Sequence, residues 1–70
     1  MTIGQIIKRQ RRRHHLSQAE LARLADTTPM TISRLEHLTD FHCNLDTLRL
    51  VVKALGLPLW QVIREVENDY

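Results

Sequence analysis

Residues 16–36, Leu-Ser-Gln-Ala-Glu-Leu-Ala-Arg-Leu-Ala-Asp-Thr-Thr-Pro-Met-Thr-Ile-Ser-Arg-Leu-Glu, constrain the fold more than any other part of this 70-residue chain. Ser17 with Glu20 three residues later is a capping-box pattern, in which a hydroxyl and a carboxylate each satisfy a free backbone N–H at a helix start. Thr28 followed by Pro29 is an N-cap and first-turn pair. The threonine accepts from an orphan amide, and the proline has no N–H to lose and a φ already suited to a helix. Between the two signals, Asp26-Thr27-Thr28 is too short and too polar to be anything but a turn. Two helices are therefore expected in close succession, over 18–25 and 29–36. Helices this short do not hold alone. Each must bury an apolar stripe: Leu21, Ala22 and Ala25 on the first, Ile32 and Leu35 on the second.

The remaining periodicity adds three helices. One runs over 3–13 behind Thr2 as N-cap, with Ile3 and Ile7 on one face. Another covers 45–55, capped by Asn44, with Leu45, Leu48, Val52 and Leu55 at helical spacing and Gly56 at its stop. A fifth begins near Pro58 and carries Leu59, Val62, Ile63 and Val66, with a frayed tail expected over 66–70. A polar connection, 37–44, precedes the fourth. No segment alternates as a strand does. The expected fold is all-α, a compact five-helix arrangement in one domain over 1–70. Its core is aliphatic, because 43% of the residues are hydrophobic and only 4% aromatic. There is no internal repeat. No apolar run has the length of a membrane span, and no signal-peptide pattern opens the chain. The lone Cys43 excludes an internal disulfide and suits a reducing cytosol, so a cytoplasmic location is expected.

Charge is unevenly placed. Residues 1–39 hold seven Lys and Arg against three Asp and Glu, while residues 40–70 hold three against five, within a formal net charge of +2. A basic front and an acidic back suggest one face for a polyanion and another for something else.

At 16–22, Leu-Ser-Gln-Ala-Glu-Leu-Ala, at 31–36, Thr-Ile-Ser-Arg-Leu-Glu, and at 45–48 with 53–56, Leu-Asp-Thr-Leu and Lys-Ala-Leu-Gly, the chain resembles the lambda-repressor/Cro-like (XRE-type) helix-turn-helix family. The resemblance covers the chain from Ile3 to Ile63. It implies a five-helix DNA reader of the kind found in phage repressors, restriction-modification controllers, antitoxins and bacterial regulators. It implies that Gln18 holds a DNA phosphate and that Pro29, Met30, Thr31, Ser33 and Arg34 face the major groove; Thr28, at the start of the second helix, is a further phosphate candidate. It implies a structural ion pair between Arg11 and Glu36. It also implies a loop after Glu36 that touches phosphate, where Thr39 is the candidate. The sequence departs from the family pattern in four places. Asp26 stands at the turn glycine, His15 at a helix-stopping glycine, and Gln10 at an aliphatic core position. The loop over 37–44 lacks its usual glycine and differs in length by about one residue.

Side-chain chemistry supports these roles independently. Arg34 offers a planar fork matched to guanine O6 and N7, a pair worth about 1–3 kcal/mol of discrimination. Met30 is apolar where a soluble helix is polar, which suits a thymine methyl. Thr31 and Ser33 can reach a base edge or a phosphate, and Gln18 sits where free N–H groups favour an anion. The plainer alternatives are a solvated Arg34, a Met30 packed on the protein, and an idle Ser33. In the run Lys8-Arg-Gln-Arg-Arg-Arg-His-His15, Arg11 is assigned to the ion pair. Arg9, Arg12, Arg13, His14 and His15 can each approach a phosphate, and Arg12 and Arg13 are the chosen contacts. Each phosphate neutralised would add about −0.9 to the log–log salt slope.

Trp60 falls at a polar position of the family and points away from Leu59 and Ile63. It belongs either to a dimer or partner interface or to a thin core. Ile6 is the second interface candidate. Family members commonly dimerise through their C-terminal region. His37, His42 and Cys43 form an irregular trio unlike a zinc site, so neither metal nor cofactor is expected. Asp40, Asp46 and Glu36 make no catalytic pair, and Ser17 and Ser33 have no evident base, so an enzyme is not expected. The resemblance thus implies a transcriptional regulator that binds double-stranded DNA, as a homodimeric repressor of its own promoter on a palindromic operator. The alternatives are an antitoxin that neutralises a toxin and autoregulates its operon, or a restriction-modification controller.

Overall fold

The computed structural model describes residues 2–38 and 45–67. They form five helices and no strand: α1 (Ile3–Arg13), α2 (Gln18–Leu24), α3 (Pro29–Glu36), α4 (Leu45–Ala54) and α5 (Leu59–Glu67). The first three starts follow their caps. Thr2 Oγ1 accepts from the Gln5 N–H at 3.2 Å while Gln5 Oε1 accepts from the Thr2 N–H at 2.9 Å. Ser17 and Glu20 make the same reciprocal pair, both bonds at 3.0 Å. Thr28 Oγ1 accepts from the Thr31 N–H at 3.2 Å, with Pro29 in the first turn. α2 and α4 each stop one residue before the expected end, at Leu24 and Ala54. Asn44, the expected cap of α4, lies outside the described residues.

Chain reversals sit where the family pattern has glycines. His15 and Asp26 both adopt φ 55°, and Gly56 follows α4 at φ 75°. The left-handed region costs an L-residue about 1–2 kcal/mol, least where a short polar side chain bonds locally, as in Asp.

α3 packs against α2 and α1, α4 lies against α2, and α5 closes against α1 and α4. Ile3, Ile6, Ile7, Leu21, Ile32, Leu48, Val51, Val52, Leu55 and Val62 fill the centre, with Ala22, Ala25, Leu35 and Val66 around them. Each fully buried Val, Leu or Ile contributes about 1.5–3 kcal/mol. α1 crosses α3 closely because Gly4 has no side chain there, and the Gly4 N–H donates to the Leu38 carbonyl at 3.3 Å.

Three sequence expectations are corrected. Ile6 is 0% exposed and belongs to the core, so it offers no surface to a partner. The reason is that α1 is covered on two sides, by α3 and by α5, which widens its apolar arc. Gln10 is buried at the same face, at 9% exposure, in its polar form. Leu45, at the open first turn of α4, is exposed, and Val51 takes a core place instead. Val66 is buried and α5 continues to Glu67, so residues 66 and 67 belong to the helix rather than to a tail; residues 68–70 lie outside the described residues.

Candidate nucleic-acid interface

α2, the turn and α3 present one surface. Pro29, Met30 and Arg34 are exposed on α3, and Thr31 and Ser33 are half-buried beside them. Met30 is 64% exposed, so it is not packed on the protein. The Arg34 side chain has no hydrogen-bond or ion-pair partner among the described residues, leaving its five donors for an outside acceptor. The Thr28 and Thr31 hydroxyls lie 2.9 Å apart, joined at the start of α3. His37 Nδ1 is 2.7 Å from the Ser33 carbonyl, which secures the last turn of the same helix.

Behind this surface, one carboxylate ties three helices together. Arg11 Nε donates to Glu36 Oε2 at 2.6 Å and Arg11 Nη2 to Oε1 at 3.3 Å, while Nη1 donates to the Leu16 carbonyl at 2.7 Å. Gln18 Nε2 also donates to Glu36 Oε1, at 3.2 Å. The pair is nearly closed to solvent, with side-chain exposures of 12% for Arg11 and 2% for Glu36. Bidentate, charge-assisted geometry of this kind fixes orientation as well as adding energy. Gln18 keeps its second amide N–H and its carbonyl oxygen, so its anchoring leaves capacity for a further partner.

Arg12, Arg13, His14 and His15 are exposed at the end of α1. Arg9 of the same run is paired: its Nη2 donates to Glu65 Oε2 of α5 at 3.3 Å, with both side chains about one-third exposed. Neither this link nor the Gln18–Glu36 bond is visible in local sequence, since each joins residues far apart in the chain. Gly4 could have been suspected, as a glycine inside an otherwise apolar helical stripe. At the start of α2 the Glu20 carboxyl is held below its ordinary range, first by the Ser17 backbone N–H and then by the Ser17 hydroxyl, with a smaller contribution from Arg23. Thr39, His42 and Cys43 lie outside the described residues, and no group of three His, Cys, Asp or Glu suited to a metal occurs among those described.

A family model described as helix-turn-helix matches residues 7–59. The chain belongs to the helix-turn-helix family. Within that family it is of the lambda-repressor/Cro-like kind. The match takes in α2, α3 and α4 whole, and so includes the surface just described. No curated protein and no solved structure matches the chain. This helix-turn-helix protein is a DNA-binding transcription regulator. No helix among its described residues is long and apolar enough to cross a membrane.

Proposed function

We propose that this helix-turn-helix protein is a homodimeric repressor of its own promoter, reading a palindromic operator with α3 in the major groove. The observation that carries the reading is the outer face of α3, where Met30 and Arg34 stand unpacked and unpartnered. Arg34 pairs with guanine, Met30 meets a thymine methyl, and Pro29, Thr31 and Ser33 complete the base contacts. Gln18 and Thr28 hold phosphate at the helix starts, and Arg12 and Arg13 hold it from the end of α1. Thr39 joins them on sequence grounds alone. Trp60 is 62% exposed, which favours the interface over the core. A two-fold dimer through it would set the two copies of α3 about 34 Å apart, one turn of DNA. The Arg11–Glu36 pair is structural, and the protein works in the cytoplasm beside its DNA without a cofactor or an enzymatic reaction.

A second reading draws on Leu24, Leu45 and Leu50, which are exposed in addition to Trp60. Surface of that kind also suits a protein partner, as in an antitoxin, and adjacent toxin, methylase or endonuclease genes would separate the antitoxin and restriction-modification readings.

The test is fluorescence anisotropy on the DNA upstream of the protein's own gene and on a scrambled duplex, at two salt concentrations. Tight, selective, cooperative binding is expected. Arg34→Ala should remove discrimination at one base position and retain most salt-dependent binding. Equal, weak binding to both duplexes would overturn the repressor reading. A Trp60→Ala protein that sediments as wild type at micromolar concentration would remove Trp60 from the interface.

A further inference from the structure

The outward face of α1 carries more charge than the phosphate contacts proposed at Arg12 and Arg13 use. Gln5, Lys8, Arg9, Arg12 and Arg13 line a shallow concavity of about 450 Å³. Four of these five residues are cations, and none is a carboxylate. The side chains of Lys8, Arg12 and Arg13 are exposed, with no hydrogen-bond or ion-pair partner among the described residues. Helical spacing sets the five side chains in two rows, Gln5–Arg9–Arg13 and Lys8–Arg12, with neighbours about 5–6 Å apart at Cβ.

Like charges at that spacing destabilise a helix. The negative end of the helix favours the basic residues of the last turn, Arg11, Arg12 and Arg13. It gives no such return at Lys8 and Arg9, which lie in the middle of α1. Arg9 is also incompletely satisfied: its Nε is shut off from solvent without a partner, and its contact with Glu65 is a single bond of 3.3 Å. The concavity is separate from the α3 side of α1, which is closed by Gly4 against the Glu36 backbone and by Arg11 turned in to the Glu36 carboxylate.

We infer that the outer face of α1 is an extended phosphate-binding site, in which Lys8 and Arg9 carry the contacts proposed at Arg12 and Arg13 on to successive phosphates of a polyphosphate chain, with the Glu65 carboxylate holding Arg9 until phosphate displaces it. Phosphate oxygens satisfy several donors at once, from the arginine forks and from the lysine ammonium. The rows suit a chain of anions better than a single one. A nucleic-acid backbone and a free polyphosphate share this chemistry. The identification of the backbone as the source rests on the DNA-binding function, while the site itself does not.

The test is a ¹H–¹⁵N NMR titration of the 70-residue chain with sodium tripolyphosphate and, separately, with a random-sequence duplex, combined with binding measured against salt. Shifts clustered on Gln5, Lys8, Arg9, Arg12 and Arg13 are expected. Lys8→Gln should lower the log–log salt slope on the duplex by about 0.9, and Lys8→Gln/Arg12→Gln by about 1.8. The double variant should weaken tripolyphosphate binding at least about tenfold, since it removes two charge-assisted donors. Glu65→Gln should strengthen binding of either probe, because it releases Arg9. Melting curves of the surface variants check that the fold is kept. An effect on the duplex alone identifies the nucleic-acid backbone as the source, and an effect on tripolyphosphate alone identifies a free polyphosphate. A wild-type chain that ignores the duplex but shows the α1 shifts with tripolyphosphate overturns the DNA reading and keeps the site. Intact duplex binding, with no α1 shifts and unchanged slopes in both variants, overturns the site together with the phosphate contact proposed at Arg12, and keeps DNA binding through α3. Unaltered affinity in Glu65→Gln overturns the displacement of Glu65.

Discussion

Gly4 lies directly on the backbone of Glu36: a Cβ at position 4 would overlap the Glu36 carbonyl and stand 2.8 Å from the Leu35 carbonyl oxygen. Both obstacles are main chain at the end of α3, so neither can turn aside. Gly4→Ala should therefore destabilise the fold by about 1–3 kcal/mol through overpacking, against the roughly 0.5–1 kcal/mol that alanine gains as a helix former. In a chain of this size each kcal/mol moves Tm by about 4–8 °C. Urea and thermal unfolding would measure it. An alanine variant as stable as wild type would mean that α1 and α3 do not approach this closely.

Glu36→Ala should be the most damaging single change outside the apolar core. It leaves Arg11 buried with only the Leu16 carbonyl and takes an acceptor from Gln18. Breaking one side of a buried pair costs about 3–5 kcal/mol. Arg11→Met/Glu36→Ala should recover part of that loss, because no stranded charge remains. Identical melting of wild type and Glu36→Ala would show that the pair carries no stability.

The two left-handed residues should respond differently to glycine. His15 has no side-chain partner among the described residues and sits at φ 55°. His15→Gly relieves about 1–2 kcal/mol of backbone strain and gives back about 0.4–1 kcal/mol in unfolded-state entropy. A net gain is expected, seen as a higher urea midpoint. Asp26→Gly should change stability little, since aspartate tolerates this conformation better. The reverse ranking would contradict this account of the turns.

Acid should weaken the start of α2. The folded-state Glu20 carboxyl titrates below its ordinary value, chiefly through the Ser17 backbone N–H. A lowered folded value means that the charged form adds stability above the unfolded carboxylate range, and that this is lost as pH falls through the folded value. Wild type should therefore exceed Glu20→Gln in stability at neutral pH, and the difference should vanish in acid. Denaturant midpoints across pH for both proteins would check it. A difference that grows on acidification would reverse the sign and the explanation.

Much of the architecture was legible in the sequence because its signals are short-range. Thr2, Ser17 and Thr28 mark helix starts through bonds spanning three residues, and the α1 and α3 limits follow from them. The apolar spacing of Leu21, Ala22, Ile32 and Leu35 identifies buried faces for the same reason. The candidate DNA surface was legible too, since consecutive turns of one helix place Met30, Arg34 and their neighbours together.

What the chain alone left open is which helix covers which face. Ile6 and Trp60 are both large apolar residues on amphipathic helices, yet one is fully buried and the other 62% exposed. Periodicity says where a side chain points, but not whether a second helix lies over it. Arg9 and Glu65 are 56 positions apart, and Gln18 and Glu36 are 18 apart, so their bonds exist only once α1, α2, α3 and α5 have packed. The sequence by itself determined the helices, their caps and the outward residues of α3. The tertiary structure decided burial at Ile6, exposure at Trp60 and Leu45, and the partners of Arg9 and Gln18, because those depend on contacts between helices rather than on spacing within one.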